Sequence, residues 1–442
     1  MREIVELSHR ATPVYVEQNQ LFVNGFHIIL RGLNVAESFK RPGRDSLDTY
    51  FGSITEADFR WMREEWGFNF ARMIFEWYPF EPEEGRWDNA YLENFARRVT
   101  WAAENGIYVL IDMHQDLYGR GFGGNGAPEW TCNSIHYINA RKYWLPRWWL
   151  NYFQGDVIAC FDHFWNSRDY LWKEFGETWR RVAHRFKDTQ NVIGFEILNE
   201  PFPGSYGPCE FEKNILYPFY LYVGKIIRET APDKLLFFEP SIMRGAGLTS
   251  SLPPLPFDQI VYAPHYYDPF IHEGGQYGTS HKGFYYGIIQ DRLNEAKYQK
   301  AAMILGEYGG WGPDYSSTAR YIDDLMDVVD QFNLGAAYWD IDFLKDHFSQ
   351  FPQDFIFSLA RAYPEMWIGE ARFKYDYTIP EITIRWRASK GSKMIVALPY
   401  LTFRHQVEVK TDEGVIWKWK NSFEMEFTLE MNGEFTITIT KS

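Results

Sequence analysis

Two glutamates close apolar runs that have the composition of buried strands, Glu200 in VIGFEILNEP and Glu307 in AMILGEYGG. A carboxyl pair of this kind suits the cleavage of an acetal: one group protonates the leaving oxygen while the other attacks the anomeric carbon or activates water. Further polar residues close comparable runs: His114 and Asp116 after YVLIDM, Asn199 ahead of Glu200, His265 and Tyr267 after IVYAP, and Trp339 in GAAYWDI, while Arg72 lies within NFARMIF. A single strand-end carboxylate is ordinarily a helix cap or a salt-bridge partner. Its recurrence, strand after strand, favours chemistry.

Physics then separates the two acids. Adjacent carboxylates resist ionising together, so Glu200 is expected to hold a proton, and Glu307 to stay ionised with Arg72 and the Tyr267 hydroxyl as supports. Glu200 sits between Asn199 and Pro201, where the chain must turn sharply. A carboxyl separation of about 5–5.5 Å would retain configuration through a covalent intermediate, and about 6.5–9.5 Å would invert it. Retention is the expectation.

These residues need a frame. Runs near 28–35, 69–75, 108–114, 192–199, 235–239, 260–267, 302–308 and 335–341 are almost continuously apolar, as strands buried on both faces are. Helical patterns fall between them at 56–66 behind Thr55, 88–105, 169–187, 211–230, 285–299 and 316–332. Eight such repeats predict a closed (β/α)8 TIM barrel, whose chemistry gathers at the carboxyl ends of its strands. No Gly-x-Gly-x-x-Gly turn follows the first strand, which disfavours an open doubly wound sheet. Catalytic barrel and N-terminal hairpin are expected over 1–365, the hairpin YVEQNQLFVNG plugging the barrel's bottom. From 370 to 442, segments such as EITIRW and EFTITIT alternate apolar and polar residues, predicting a small β-sandwich.

Composition narrows the partners. The chain has 442 residues, is 19% aromatic with 18 Trp, and carries a net charge of −14. Nucleic acid is excluded as a ligand because phosphate binding needs a basic face. Cys132, Cys160 and Cys209 are too few for a disulfide framework, although two of them can pair. With no Cys-x-x-Cys or His-Glu-x-x-His spacing, neither a metal nor another cofactor is expected. The opening residues show no leader and no run of about 18 apolar residues suggests a membrane span, so the compartment stays open. A monomer is expected.

Arg72, His114, ILNEP at 197–201, APHYY at 263–267, LGEYGG at 305–310 and YWD at 338–340 together resemble glycoside hydrolase family 5 over about residues 25–360. The resemblance implies a retaining β-glycosidase with Glu200 as acid/base and Glu307 as nucleophile. It further implies that Asn199 binds the 2-hydroxyl of the sugar at the cleavage site, that His114 and His265 bind neighbouring hydroxyls, and that Trp339 is the stacking floor. The stretches RGLNVAESFK and DMHQDLYGRGFGGNGAPEW and the C-terminal β-module resemble the endoglycoceramidase branch, which separates a glycan from ceramide. Lys40 and Asp116 match positions that hold the first sugar in that branch.

An insertion at 117–168 is far longer than a strand-to-helix loop requires and is crowded with rings, Trp130, Trp148, Trp149 and Phe153 among them. It is expected to form a hydrophobic wall or membrane-touching lid, against the plainer alternative of a self-packed subdomain. The expected substrate is a glycolipid or oligosaccharide, with peripheral contact to a membrane or micelle. The rival readings are an endo-β-glucanase or mannanase on the same barrel, and a non-catalytic carbohydrate-binding protein. Retention of both glutamates counts against the latter.

Overall fold

A computed structural model describes residues 13–35, 54–140, 145–245, 247–310, 312 and 314–442. Lys40, Tyr143 and Trp144 lie outside these described residues. Eight parallel strands close a barrel in chain order: Arg31–Val35, Phe70–Glu76, Tyr108–His114, Val192–Glu196, Leu235–Phe238, Ile260–Tyr262, Ala302–Tyr308 and Gly335–Tyr338. The eighth pairs back onto the first, Ala336 opposite Arg31. Every residue of these strands is buried, which explains why their sequences read as unbroken apolar runs.

Two strands stop earlier than their apolar runs. The fourth ends at Glu196 and the sixth at Tyr262, so Asn199, Glu200, His265 and Tyr267 stand on the segments beyond. Pro264 has no N–H to offer a ladder, and His265 regains only an isolated bridge to Glu307. The intervening helices begin where side chains cap them: Asp88 accepts from the Ala90 and Tyr91 amides ahead of Asn89–Glu104, and Asp314 from the Ser317 amide ahead of Tyr315–Gln331. Among the described residues no helix is long and apolar enough to cross a membrane.

Two further sheets complete the molecule. Strands Glu370–Asp376, Glu381–Ala388, Gly433–Lys441 and Val407–Thr411 form one, facing a seven-stranded sheet across a core that includes Trp386, Phe427 and Ile437. The larger sheet recruits both ends of the chain: Tyr15–Glu17, Gln20–Val23 and Phe26–Ile28 continue into Tyr363–Trp367, then Lys393–Ala397, Glu424–Leu429 and Val415–Trp419. Leu21, Val23, Phe26 and Ile28 pack in one cluster with the barrel residues Leu30, Phe70, Leu110 and Phe237. A buried guanidinium fastens the sheet to the barrel's first helical segment, with Arg63 donating to Glu365 at 2.9 Å and Glu424 at 2.7 Å.

The aromatic insertion divides its rings between core and surface. Tyr118, Tyr152, Phe161, Phe164 and Trp165 are buried in the main core, whereas Trp148 is 39% and Phe153 53% exposed. Cys132 and Cys160 form a disulfide within it, and Cys209 is free. At its start Asp116 and Asn125 pair as an isolated antiparallel bridge. The glycines there are required by close approach, since a Cβ on Gly124 would lie 1.9 Å from the Asp116 carbonyl oxygen.

Candidate active site

The strand ends converge on one guanidinium. Arg72, on the second strand and wholly buried, donates through Nε to Glu196 at 2.6 Å and through Nη1 to Asn34 at 2.9 Å and Glu307 at 2.6 Å. Its Nη2 donates to Asn199 Oδ1 at 2.9 Å and lies 3.1 Å from Asp112 and 3.5 Å from Glu239. A planar fork with five N–H groups is the one side chain that can meet so many acceptors from separate strands.

Around it stand the two glutamates. Tyr267 donates to the second oxygen of Glu307 at 2.6 Å, so both carboxylate oxygens are oriented, and that carboxyl is almost buried. The Tyr267 hydroxyl is pushed well above its ordinary titration range by burial and then by the Glu307 charge, which keeps it a donor. Glu200 is the more open of the pair and adopts φ +44°, the left-handed region that a non-glycine residue seldom occupies. Gln115 fixes this turn by donating to the carbonyls of Asn199 and Glu200 at 3.2 and 3.0 Å. One carboxyl oxygen of Glu200 and one of Glu307 lie within 4.8 Å of each other, with His265 beside both. His265 Nδ1 is 2.9 Å from Glu200 and 3.5 Å from Glu307. Burial lowers the ring's pKa to about 3, so it stands there neutral.

His114 behaves oppositely. Burial disfavours its charge, but Asp112 at Nδ1 (2.7 Å) and Asp116 at Nε2 (3.2 Å) prevail and raise it to about 9. Its ring stacks on Trp339 with centroids 5.5 Å apart, and Trp339 clusters with Ile74 and Tyr267. Asn199 points its amide nitrogen at the Gln115 carbonyl, 3.0 Å away, and toward His114 Nε2. All the proposed site residues that fall among the described residues therefore meet in one cluster. Among the described residues two groups of ligand-type atoms, Glu196/Glu239/His265 and Glu200/His265/Glu307, are compact enough to suggest a cation. Arg72 already places its positive charge against Glu196, Glu239 and Glu307, so neither is read as a metal site.

Five polar members were not singled out from the sequence: Asn34, Asp112, Gln115, Glu196 and Glu239. The signal was present. Asp112 and Glu196 are charged residues inside otherwise apolar runs, and Glu239 closes the fifth strand in LLFFE.

A closed (β/α)8 barrel bearing an acidic pair at the carboxyl ends of its fourth and seventh strands defines the class as glycoside hydrolase. Residues 24–344 match the cellulase model of glycosyl hydrolase family 5, and the chain belongs to that family. It is similar to an endoglycoceramidase of Cyanea nozakii, 29% identical over 345 residues, which covers 70% of this chain and 64% of that relative. Among solved structures it resembles the endo-glycoceramidase II of Rhodococcus sp. in complex with ganglioside GM3 (26% identity, TM-score 0.77), covering 98% of this chain and all of that one. The lactosyl-enzyme intermediate of the same Rhodococcus protein is similar at 25% identity and TM-score 0.74, with 98% and 100% covered.

Proposed function

We propose that this glycoside hydrolase cleaves the bond between the glycan and the ceramide of a glycosphingolipid, retaining configuration through a covalent glycosyl-enzyme. The observation that carries the mechanism is the approach of Glu200 and Glu307 to within 4.8 Å, too close to admit a water on the far side of the ring and suited to direct attack. Glu307, oriented by Arg72 and Tyr267, attacks the anomeric carbon. Glu200 transfers its proton to the departing ceramide oxygen, then removes a proton from the water that releases the sugar. In this reading His114, Asp116 and Asn199 receive hydroxyls of the sugar ring, with Trp339 as its floor. Lys40 is assigned the first sugar on the resemblance alone.

The ceramide reading draws on two supports: the similarity to endoglycoceramidases and the insertion's position beside Glu200. Phe202, two residues after Glu200, contacts Tyr152, Phe153 and Phe161 at ring distances of 4.9, 5.8 and 5.1 Å. The acid/base stands on the leaving-group side, so this ring cluster backs that side, with Phe153 as its exposed member. Exposed Leu145, Trp148 and Phe153 extend that wall outward and give a micelle or bilayer an apolar contact. The test offers a detergent-dispersed glycosphingolipid and a soluble β-glucan in parallel, measuring released ceramide and released reducing ends. Ceramide release is expected; hydrolysis of the glucan alone would transfer the chain to the polysaccharide-cleaving reading.

A further inference from the structure

Behind the reacting pair lies a second pair of acids that the mechanism above does not use. Glu196, inside the fourth strand, and Glu239, just past the fifth, are buried beneath His265. Glu239 Oε1 accepts from the Glu200 amide at 3.3 Å and sits 3.3 Å from His265 Nε2, whose other nitrogen touches the Glu200 carboxyl. The Glu239 main-chain carbonyl accepts from Tyr220.

Charge counting at Arg72 shows what this pair must do. Asp112, Glu196, Glu239 and Glu307 all lie within 3.5 Å of its guanidinium, and the only other cation touching the group among the described residues is His114, at Asp112. Full ionisation would leave two negative charges uncompensated among buried groups, which desolvation strongly disfavours. Two ionised carboxylates, moreover, are acceptors only and cannot bond to each other. Yet one carboxyl oxygen of Glu196 and one of Glu239 lie within 4.8 Å of each other, with His265 beside both. Glu196 Oε1 and His265 Nε2, both buried beside Glu239, make no well-formed hydrogen bond to a protein donor or acceptor.

We propose that Glu196 and Glu239 share a single proton and, through His265, act as a positioning pair for Glu200. The shared proton closes the Glu196–Glu239 contact. The remaining negative charge on Glu239 accepts from His265 Nε2–H, leaving Nδ1 free to accept the proton that Glu200 carries before it acts. Burial raises both acids, Glu196 to about 7 and Glu239 well above the ordinary carboxyl range, in the direction proton retention requires. Besides each other and Arg72, the groups facing Glu239 are Glu200, Glu307, His265 and Tyr220, and Asp112 faces Glu196. The inference rests on Glu200 being the general acid.

Replacement by glutamine separates the possibilities, because glutamine mimics the protonated acid. The basic limb of the kcat/KM profile is first assigned to Glu200 by its disappearance in Glu200→Ala on an aryl substrate that needs no protonation. Glu196→Gln and Glu239→Gln should each leave that limb where it is, since the pair keeps one charge. The double variant loses this charge and should move the limb to lower pH by about one unit. A displaced limb in either single variant, or an unmoved limb in the double, overturns the shared proton. Infrared spectroscopy of the unmodified protein adds a reading independent of folding and of Glu200: a carboxylic C=O band should persist at mildly alkaline pH and be lost in the double variant, and its absence from the unmodified protein also overturns the pair. Should the limb survive in Glu200→Ala, the general-acid assignment fails instead, and the infrared band alone judges the pair.

Discussion

Arg72 donates to Glu307 across the barrel at 2.6 Å, joining the second strand to the seventh through two buried side chains. Because the same guanidinium also holds Asn34, Glu196 and Asn199, it ties Glu307, Asn199 and the buried Glu196 to one donor. Arg72→Lys replaces a fork by a point charge and leaves several of these acceptors without a donor. A loss of about 3 kcal/mol in stability is expected by chemical denaturation, with turnover falling about 100-fold as the nucleophile drifts. A variant with native stability and rate would show that the fork is dispensable.

Glu307→Gln should abolish turnover and still bind substrate, because the amide keeps the shape and cannot attack. Calorimetric titration with an unreactive substrate analogue measures the second half of that statement. Glu200→Ala should slow the natural glycolipid strongly but spare an aryl glycoside with a good leaving group, for which protonation is dispensable. Equal losses on the two substrates would remove Glu200 from the acid/base role.

Stability should decline as pH rises through neutrality. Burial lifts Glu76 to about 7, and His114, against its burial, is lifted by Asp112 and Asp116 to about 9. Each folded pKa exceeds its unfolded value, so each contribution is complete below the unfolded pKa and lost as pH climbs through the folded one. The His114 share amounts to about 3 kcal/mol, lost between about pH 6.5 and 9. Melting temperatures across that interval should fall, and His114→Asn should flatten the curve.

The Cys132–Cys160 disulfide closes a 28-residue separation within the aromatic insertion. Its removal by paired serine substitutions should cost about 3–4 kcal/mol if that segment unfolds with the barrel. The melting transition of the double-serine protein measures this. A retained transition would mean that the insertion contributes independently of the barrel.

Phe153→Ser and Trp148→Ser alter exposed rings of the insertion without entering the cleft. On glycolipid in mixed micelles KM should rise several-fold, whereas a water-soluble aryl glycoside should be cleaved as before. A parallel loss on the soluble substrate would assign these rings to folding and not to the lipid.

Much of this was readable along the chain. Period and composition determined the eight-fold strand–helix order, since strands buried on both faces leave uninterrupted apolar runs whatever they pack against. The same pattern exposed Glu200 and Glu307 as misfits at strand ends. Three-dimensional closure decided the rest. No local pattern says that residues 15–28 share a sheet with 363–367, because main-chain pairing is indifferent to distance along the sequence. Nor could sequence place Asp112, Glu196 and Glu239 around Arg72: the pairing and protonation of a buried charge depend on which other charges are folded against it, and that is fixed only when the barrel closes.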